Sequence, residues 1–211
     1  MTTKQVFVDG SHLLMTLKRM NNRRHGDGQP NRMINYTAMI DAIVGVDTLG
    51  ERSTLFLSNP PRNLKRYMSD SDLDSFVQRG FQVKCYDLRD RRVDCYSCER
   101  YFTIYQEKPV DAAIIVAMFK SALRAGADEE LVLVSGDGDF AEAAEEVTNE
   151  SGGYGVRLSV WGFSDSTASY FQENPAFSLR YLNEFLQDEP VRRMTTRRHR
   201  RSERDWPRTR M

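Results

Sequence analysis

The fold of this chain is decided by Leu131-Val-Leu-Val-Ser-Gly-Asp-Gly-Asp-Phe140. Its first four residues are apolar and rich in β-branched valine, which predicts a short buried strand. The glycine-containing segment after them interrupts this pattern, and an alanine- and glutamate-rich helix is predicted at about residues 140–149. Asp139 suits the N-cap of that helix, and the glycines allow the backbone to turn sharply. The stretch therefore predicts a strand that delivers two carboxylates at its carboxyl end, although Asp is also an ordinary turn former.

Strands and helices alternate along the rest of the domain. The apolar patterns predict four further strands, at residues 5–8, 54–57, 81–86 and 156–161. Helices are predicted after the first strand and at residues 36–46, 62–78, 110–125 and 179–186, of which 110–125 is apolar enough to be centrally buried. Such alternation implies a mostly parallel sheet with right-handed crossovers. We therefore predict one α/β domain of residues 1–190 with a five-stranded sheet between helices.

Residues 87–105 form an insert that contains Cys95-Tyr-Ser-Cys98, with Cys85 upstream. A structural zinc site normally needs four ligands, and the sequence offers no clear fourth. Two interpretations stay open: a zinc knuckle closed by a histidine or by another chain, and a β-ribbon with reduced cysteines. A redox Cys-x-x-Cys is disfavoured because the motif does not open a helix.

The formal net charge of zero conceals a strongly basic end. Residues 191–211 hold nine arginines against two acidic residues, which leaves about seven positive charges there and an equal negative excess elsewhere. With almost no large apolar residues, this tail is predicted to be disordered. Arginines bind phosphates with release of counterions, so we predict an RNA-binding arm; a solvated tail that binds an acidic protein surface is the alternative. The predicted RNA contacts are Arg192, Arg193, Arg197, Arg198, Arg200 and Arg201, joined by Arg23, Arg24, Arg62, Lys65 and Arg66.

Several classes of protein are disfavoured. No apolar run approaches the ~20 residues of a membrane span, and the first residues lack the apolar core of a signal peptide. Three cysteines do not resemble a secreted disulfide framework. We therefore expect a cytoplasmic protein without a membrane partner; a homodimer or a protein partner stays open.

Carboxylates arrive at similar places from three separate segments. Asp9 ends the first strand, Asp111 opens an apolar helix, and Asp137 and Asp139 follow the fourth strand. If the strand order is 3-2-1-4-5, these four acids meet at one edge of the sheet. Carboxylates packed so closely repel one another unless cations neutralise them. One or two Mg²⁺ or Mn²⁺ ions would do so, and such ions can activate water for phosphodiester hydrolysis.

Three motifs together resemble a known family. They are Val6-Phe-Val-Asp-Gly-Ser-His-Leu13, Glu107-Lys-Pro-Val-Asp-Ala-Ala113 and Leu133-Val-Ser-Gly-Asp-Gly-Asp-Phe140. In this order they are similar to the NYN domain, LabA-like branch, of the PIN-like nuclease superfamily, over roughly residues 4–162. The resemblance implies a five-stranded parallel α/β/α fold and metal-dependent hydrolysis of RNA. It also implies acidic metal and catalytic positions at Asp9, Asp111, Asp137 and Asp139, with Ser11, Ser135 and Lys108 in supporting positions.

The chain departs from the family pattern at three positions. His12 stands where the family commonly has Asn, Ala117 where a second helix Asp often occurs, and Pro109 where Gly is usual. An incomplete acidic set favours one metal ion or weaker binding, so a non-catalytic RNA-binding or regulatory adaptor is the alternative to a ribonuclease. A phosphatase that uses Asp137 and Asp139 fits less well, because that acid pair would usually follow the first strand. For His12, two interpretations stay open: support of the metal or phosphate, and simple packing.

Overall fold

The structure, a computed structural model, describes residues 1–26, 28–59, 68–94, 97, 101–106, 109–151 and 153–189. Its strands are β1 (Thr3–Asp9), β2 (Arg32–Ile34), β3 (Thr48–Leu49), β4 (Thr54–Asn59), β5 (Gln82–Asp87), β6 (Arg89–Asp94), β7 (Tyr101–Gln106), β8 (Glu129–Val134), β9 (Arg157–Gly162), β10 (Ser178–Tyr181) and β11 (Leu186–Asp188). Its helices are α1 (Gly10–Gly26), α2 (Tyr36–Val44), α3 (Asp70–Gln78), α4 (Pro109–Ala122), α5 (Ala141–Thr148) and α6 (Ser169–Glu173).

A mostly parallel sheet lies at the centre of this α/β protein. Six strands follow the order β10-β9-β8-β1-β4-β5, and the short β3 pairs with the start of β1 as a seventh. The predicted strands one to five correspond to β1, β4, β5, β8 and β9, so their predicted 3-2-1-4-5 order is confirmed. The predicted number of five is wrong, because β3 and β10 also belong to the sheet.

The helix predicted at residues 179–186 is wrong over its first part. Ser178–Tyr181 is strand β10, which pairs in parallel with β9, and only Leu182–Phe185 forms a short 3₁₀ turn. Leu179, Leu182 and Leu186 recur at helical spacing, which explains the prediction. Pairing with β9 gives the backbone of this segment its hydrogen bonds, and the local pattern does not encode that tertiary contact.

Helices cover the sheet on both sides. Alternate residues of a strand point to opposite faces, so Val6 and Val8 of β1 pack with α1, α2 and α3, whereas Phe7 packs with α4 and α5. Helix α4 is buried along one face only, since Ala112, Val116 and Lys120 are exposed. It is therefore an outer layer, which corrects the expectation of a central helix.

The insert is an antiparallel ribbon of β6 and β7, as one of its two interpretations expected. Cys95 and Cys98 lie outside the described residues, and Cys85 is an exposed residue of β5. A second short ribbon pairs β2 with β11.

No helix in the described ranges is both long enough and apolar enough to cross a membrane.

Helix α2 offers a test of local stability. Asn35 is its N-cap, and the Asn35 side-chain oxygen accepts from the Ala38 N–H at 3.0 Å. We expect Asn35→Ala to lower the free energy of unfolding by about 1 kcal/mol, measured in urea, because the helix loses its cap. Asn22→Ala, at an exposed position inside α1, is the matched control and should change it by no more than about 0.5 kcal/mol. Equal effects of the two changes would contradict the capping role.

Candidate active site

Asp9 and Ser135 lie side by side at the carboxyl edge of the sheet. Val8 of β1 pairs with Val134 of β8, so the next residue of each strand reaches the same level. The Ser135 hydroxyl donates to Asp9 Oδ2 at 3.1 Å. Both side chains are buried, with Asp9 only 2% exposed. The register of the two central strands thus fixes one carboxylate at the sheet edge.

The other oxygen of Asp9 begins helix α1. Asp9 Oδ1 accepts from the His12 N–H at 2.9 Å, which is the geometry of an N-cap. The positive end of the α1 dipole also favours the ionised carboxylate. Asp9 is therefore oriented by the first turn of a helix as well as by Ser135.

Asp137 is connected to Asp9 through Ser135. The Asp137 N–H donates to the Ser135 hydroxyl oxygen at 3.2 Å. Asp137 Oδ1 accepts from the Asp139 N–H at 3.1 Å, so Asp137 caps the short 3₁₀ turn at Gly138–Phe140. The predicted N-cap at Asp139 is wrong, because α5 begins after Phe140 without a side-chain cap. The Asp137 side chain is 41% exposed, which leaves it open to the cleft.

A polar cleft of ≈ 400 Å³ opens above these residues. Asp111, in the first turn of α4, joins Asp9 and Asp137 in lining it. Helix α1 and the loop after β9 both contribute to its lining. Asp139 is exposed and is not among the lining residues. Among the described residues, the lining consists of Asp9, Ser11, His12, Met15, Thr16, Arg19, Asp111, Gly136, Asp137, Gly138, Ser166 and Ala168.

Gly136 allows a close contact between two backbones. A Cβ atom at this position would lie 2.9 Å from the Ser166 carbonyl oxygen and 2.9 Å from Thr167 Cα. The Ala168 N–H donates to the Gly136 carbonyl oxygen at 2.9 Å. Gly136 does not have a positive φ, so close approach and not a sharp turn requires glycine here. The glycine positions the loop that closes one side of the cleft.

His12 faces the cleft at its acidic end. His12 Nδ1 lies 3.7 Å from Asp137 Oδ2, and within the described part of the chain Nε2 is buried without a hydrogen-bond partner. Burial lowers the pKa of His12 and nearby Arg19 lowers it further, whereas Asp137 opposes both. The imidazole is therefore neutral at neutral pH. His12 lines the cleft and is also largely buried, so both interpretations, support of the site and packing, stay predictions.

The other predicted residues have different positions. The Ser11 hydroxyl oxygen accepts from the Ser58 N–H at 3.1 Å, which ties α1 to β4 beside the cleft. Arg24 is engaged within the protein, where it donates to the Pro30 carbonyl and to Asp188, both at 2.8 Å. Arg23 is exposed. The remaining predicted residues lie outside the described ranges: Arg62, Lys65, Arg66, Cys95, Cys98, Lys108, Arg192, Arg193, Arg197, Arg198, Arg200 and Arg201.

Several cleft residues were not found from the sequence. Met15, Thr16 and Arg19 follow His12 at helical spacing on α1, and that spacing was the available signal. Ser166 comes from the loop after β9, where the Thr16 hydroxyl donates to the Ser166 hydroxyl at 3.4 Å. Strand β9 is the neighbour of β8 and ends at the same edge of the sheet. The loop after β9 could therefore also have been considered.

The cleft has the donor chemistry for a hard divalent cation. Three carboxylates from Asp9, Asp111 and Asp137 line it, and carboxylate oxygens are the ligands that Mg²⁺ and Mn²⁺ prefer. In the ranges that the structure describes, no three such side chains form a ready coordination shell. The acids therefore fit a metal in their chemistry, and they line one opening.

Comparison with known proteins identifies the family. The chain is similar to a crystal structure of a protein of unknown function from Vibrio parahaemolyticus, with a TM-score of 0.58 and 15% identity over 88% of this chain and 96% of that chain. At this identity the likeness shows the shared α/β fold alone. No curated protein matches this chain. The family model for the NYN domain, a member of the PIN-like nuclease superfamily, matches residues 4–178, and the LabA-like branch stays a prediction. Since this match covers most of the sequence, the chain belongs to the NYN domain family.

Proposed function

We propose that the protein is a metal-dependent ribonuclease that hydrolyses RNA phosphodiester bonds in the cleft at Asp9, Asp111 and Asp137. The observation that carries this proposal is the convergence of these carboxylates, from β1, α4 and the segment after β8, on one opening. Domains of this superfamily generally act as ribonucleases and usually use divalent metals. Asp139, which lies next to the cleft but does not line it, keeps its assignment to the acidic set only as a prediction.

Each carboxylate would contribute differently. Asp9 is buried and held at both oxygens by Ser135 and the His12 N–H, so it forms the rigid part of a metal site. Asp137 is held at Oδ1 and exposed at Oδ2. Asp111 reaches the cleft from α4, whose amino-terminal end faces it. A Mg²⁺ or Mn²⁺ ion held by these residues would activate water and stabilise negative charge on the phosphate.

The neutral His12 is suited to orient Asp137. Its Nδ1 lies 3.7 Å from Asp137 Oδ2, whereas its Nε2 is buried. Asp137 beside Nδ1 favours the tautomer with the proton on Nδ1, so the ring would help to hold the exposed carboxylate oxygen at the cleft.

The second candidate is a non-catalytic RNA-binding adaptor with the same fold. It is favoured by Ala117, which stands at a position where the family often has Asp. Such an adaptor would bind RNA with strong salt dependence through its arginines and would not turn it over.

Metal removal tests the proposal. The purified protein is incubated with a labelled RNA mixture in Mn²⁺, in Mg²⁺ and in EDTA, beside an Asp111→Asn variant. We expect cleavage in the metal buffers, none in EDTA, and a loss of at least about 100-fold in the variant. Asp128→Asn, an exposed acid before β8, is the control and should cleave as the unaltered protein does. RNA binding without cleavage in any buffer would favour the adaptor, and cleavage in EDTA would contradict both.

A further inference from the structure

Arg19 is the one cation among the described residues that line the cleft. Its side chain is exposed, and it forms no ion pair or hydrogen bond with any described residue. It nevertheless lies close enough to His12 to lower the pKa of that ring. An arginine left without an internal partner beside three carboxylates is available to an anion.

Arg19 belongs to a stripe that runs along α1 away from the acids. His12, Arg19 and Arg23 are separated by seven and four residues, which places them on one line of the helix. Arg19 is two turns, or about 10 Å, beyond His12, and Arg23 is one turn further. Arg23 is also exposed and without a described partner, unlike Arg24, which is bound to Asp188. Two available guanidinium groups, those of Arg19 and Arg23, therefore lie about one turn apart on the line of α1 that leads away from the acids.

The surface between His12 and Arg19 is partly apolar. Met15 is 43% exposed and lines the cleft between them. An exposed thioether can pack against a base or a ribose, whereas it offers nothing to a free phosphate ion. The sequence of polar, apolar and cationic groups along α1 therefore matches a nucleotide chain more closely than an isolated anion.

We propose that α1 carries a phosphate-binding track, in which Arg19 and then Arg23 hold the phosphates of a bound RNA strand next to the one at the acids. This inference rests on the proposed function, since it takes RNA to be what the cleft binds. Arg19 and Arg23 bind and position the strand without touching the reacting phosphate.

The salt dependence of binding tests the track without any cleavage. The full-length protein is titrated into a fluorescent poly(U) oligonucleotide in EDTA at several KCl concentrations, and anisotropy gives the dissociation constant. We expect Arg19→Ala to weaken binding about tenfold at low salt. The slope of log K against log salt should become shallower by about 0.7, and by about twice that in the variant lacking both arginines.

Lys18→Ala is the matched control. Lys18 is an exposed cation on the same helix, but it lies about 100° around the axis from Arg19 and does not line the cleft. The Lys18→Ala variant loses the same charge as Arg19→Ala, but at a position outside the track. It should therefore leave the slope of log K against log salt nearly unchanged. Equal slopes for Arg19→Ala and Lys18→Ala would overturn the track.

The two hypotheses fail separately. Because binding is measured in EDTA, a protein that never cleaves RNA would still show the Arg19 effect if the track exists. Conversely, metal-dependent cleavage that requires Asp111, together with equal slopes for the two variants, would retain the ribonuclease and reject the track alone.

Discussion

Replacing Asp137 by Asn is expected to lower the rate of RNA cleavage at least about 100-fold, the range found when one group that stabilises a transition state is removed. Asn retains a side-chain oxygen that can accept from the Asp139 N–H at the position of Oδ1, so the turn is kept. What is lost is the negative charge at the exposed Oδ2, which the cleft offers to a cation. We therefore expect the free energy of unfolding to change by less than about 1 kcal/mol.

The same substitution at two other acids of this region serves as the comparison for Asp137→Asn. Asp139→Asn should reduce cleavage less, because Asp139 contributes its backbone N–H to Asp137 and its side chain does not line the cleft. Asp165→Asn removes an exposed charge from the loop beside the cleft and should have almost no effect. The measurement is the initial cleavage rate of labelled RNA in Mn²⁺, with urea unfolding of each variant. Similar rates for the Asp137 and Asp165 variants would contradict the assignment of Asp137 to the site.

The sequence predicted the acidic site because its position depends on topology. Parallel strands bring their carboxyl ends to one edge, so Asp9 and Asp137 could be placed together as soon as β1 and β8 were taken as neighbours. Asp111 was placed with them because it opens the apolar helix that precedes β8. The exposure of Asp139 depends on the path of one turn, and spacing alone does not reveal whether a side chain after such a turn faces the cleft.

Residues whose structural positions depend on contacts with distant parts of the sequence could not be predicted in this way. Arg24 read as an exposed cation, but Asp188, which is 164 residues away, holds it. Arg19 belongs to no motif, and its position in the cleft depends on the angle at which α1 lies on the sheet. The strand β10 likewise depends on an open edge of β9, whereas its leucine spacing alone favours a helix. In each case the deciding contact is long-range and the local pattern points elsewhere.

Gly136→Ala is expected to destabilise the protein by about 1–3 kcal/mol and to reduce cleavage at the same time, because the added methyl group overpacks a closed contact. The nearest atoms to a new Cβ are backbone atoms of Ser166 and Thr167, which cannot move away as a flexible side chain would. The loop would have to shift, and the hydrogen bond from the Ala168 N–H to the Gly136 carbonyl would weaken with it. Ser166 and Ala168 line the cleft, so the shift would alter its shape.

Gly126→Ala provides the comparison. A Cβ at Gly126 meets no atom within 4 Å, and the residue is exposed and has no positive φ. It should leave both stability and cleavage unchanged, or stabilise slightly by restricting the unfolded chain. Urea unfolding and the initial cleavage rate are measured for both variants. A stable Gly136→Ala protein with full activity would show that the loop adapts without cost, and the close contact of the two backbones would then have no role in shaping the cleft.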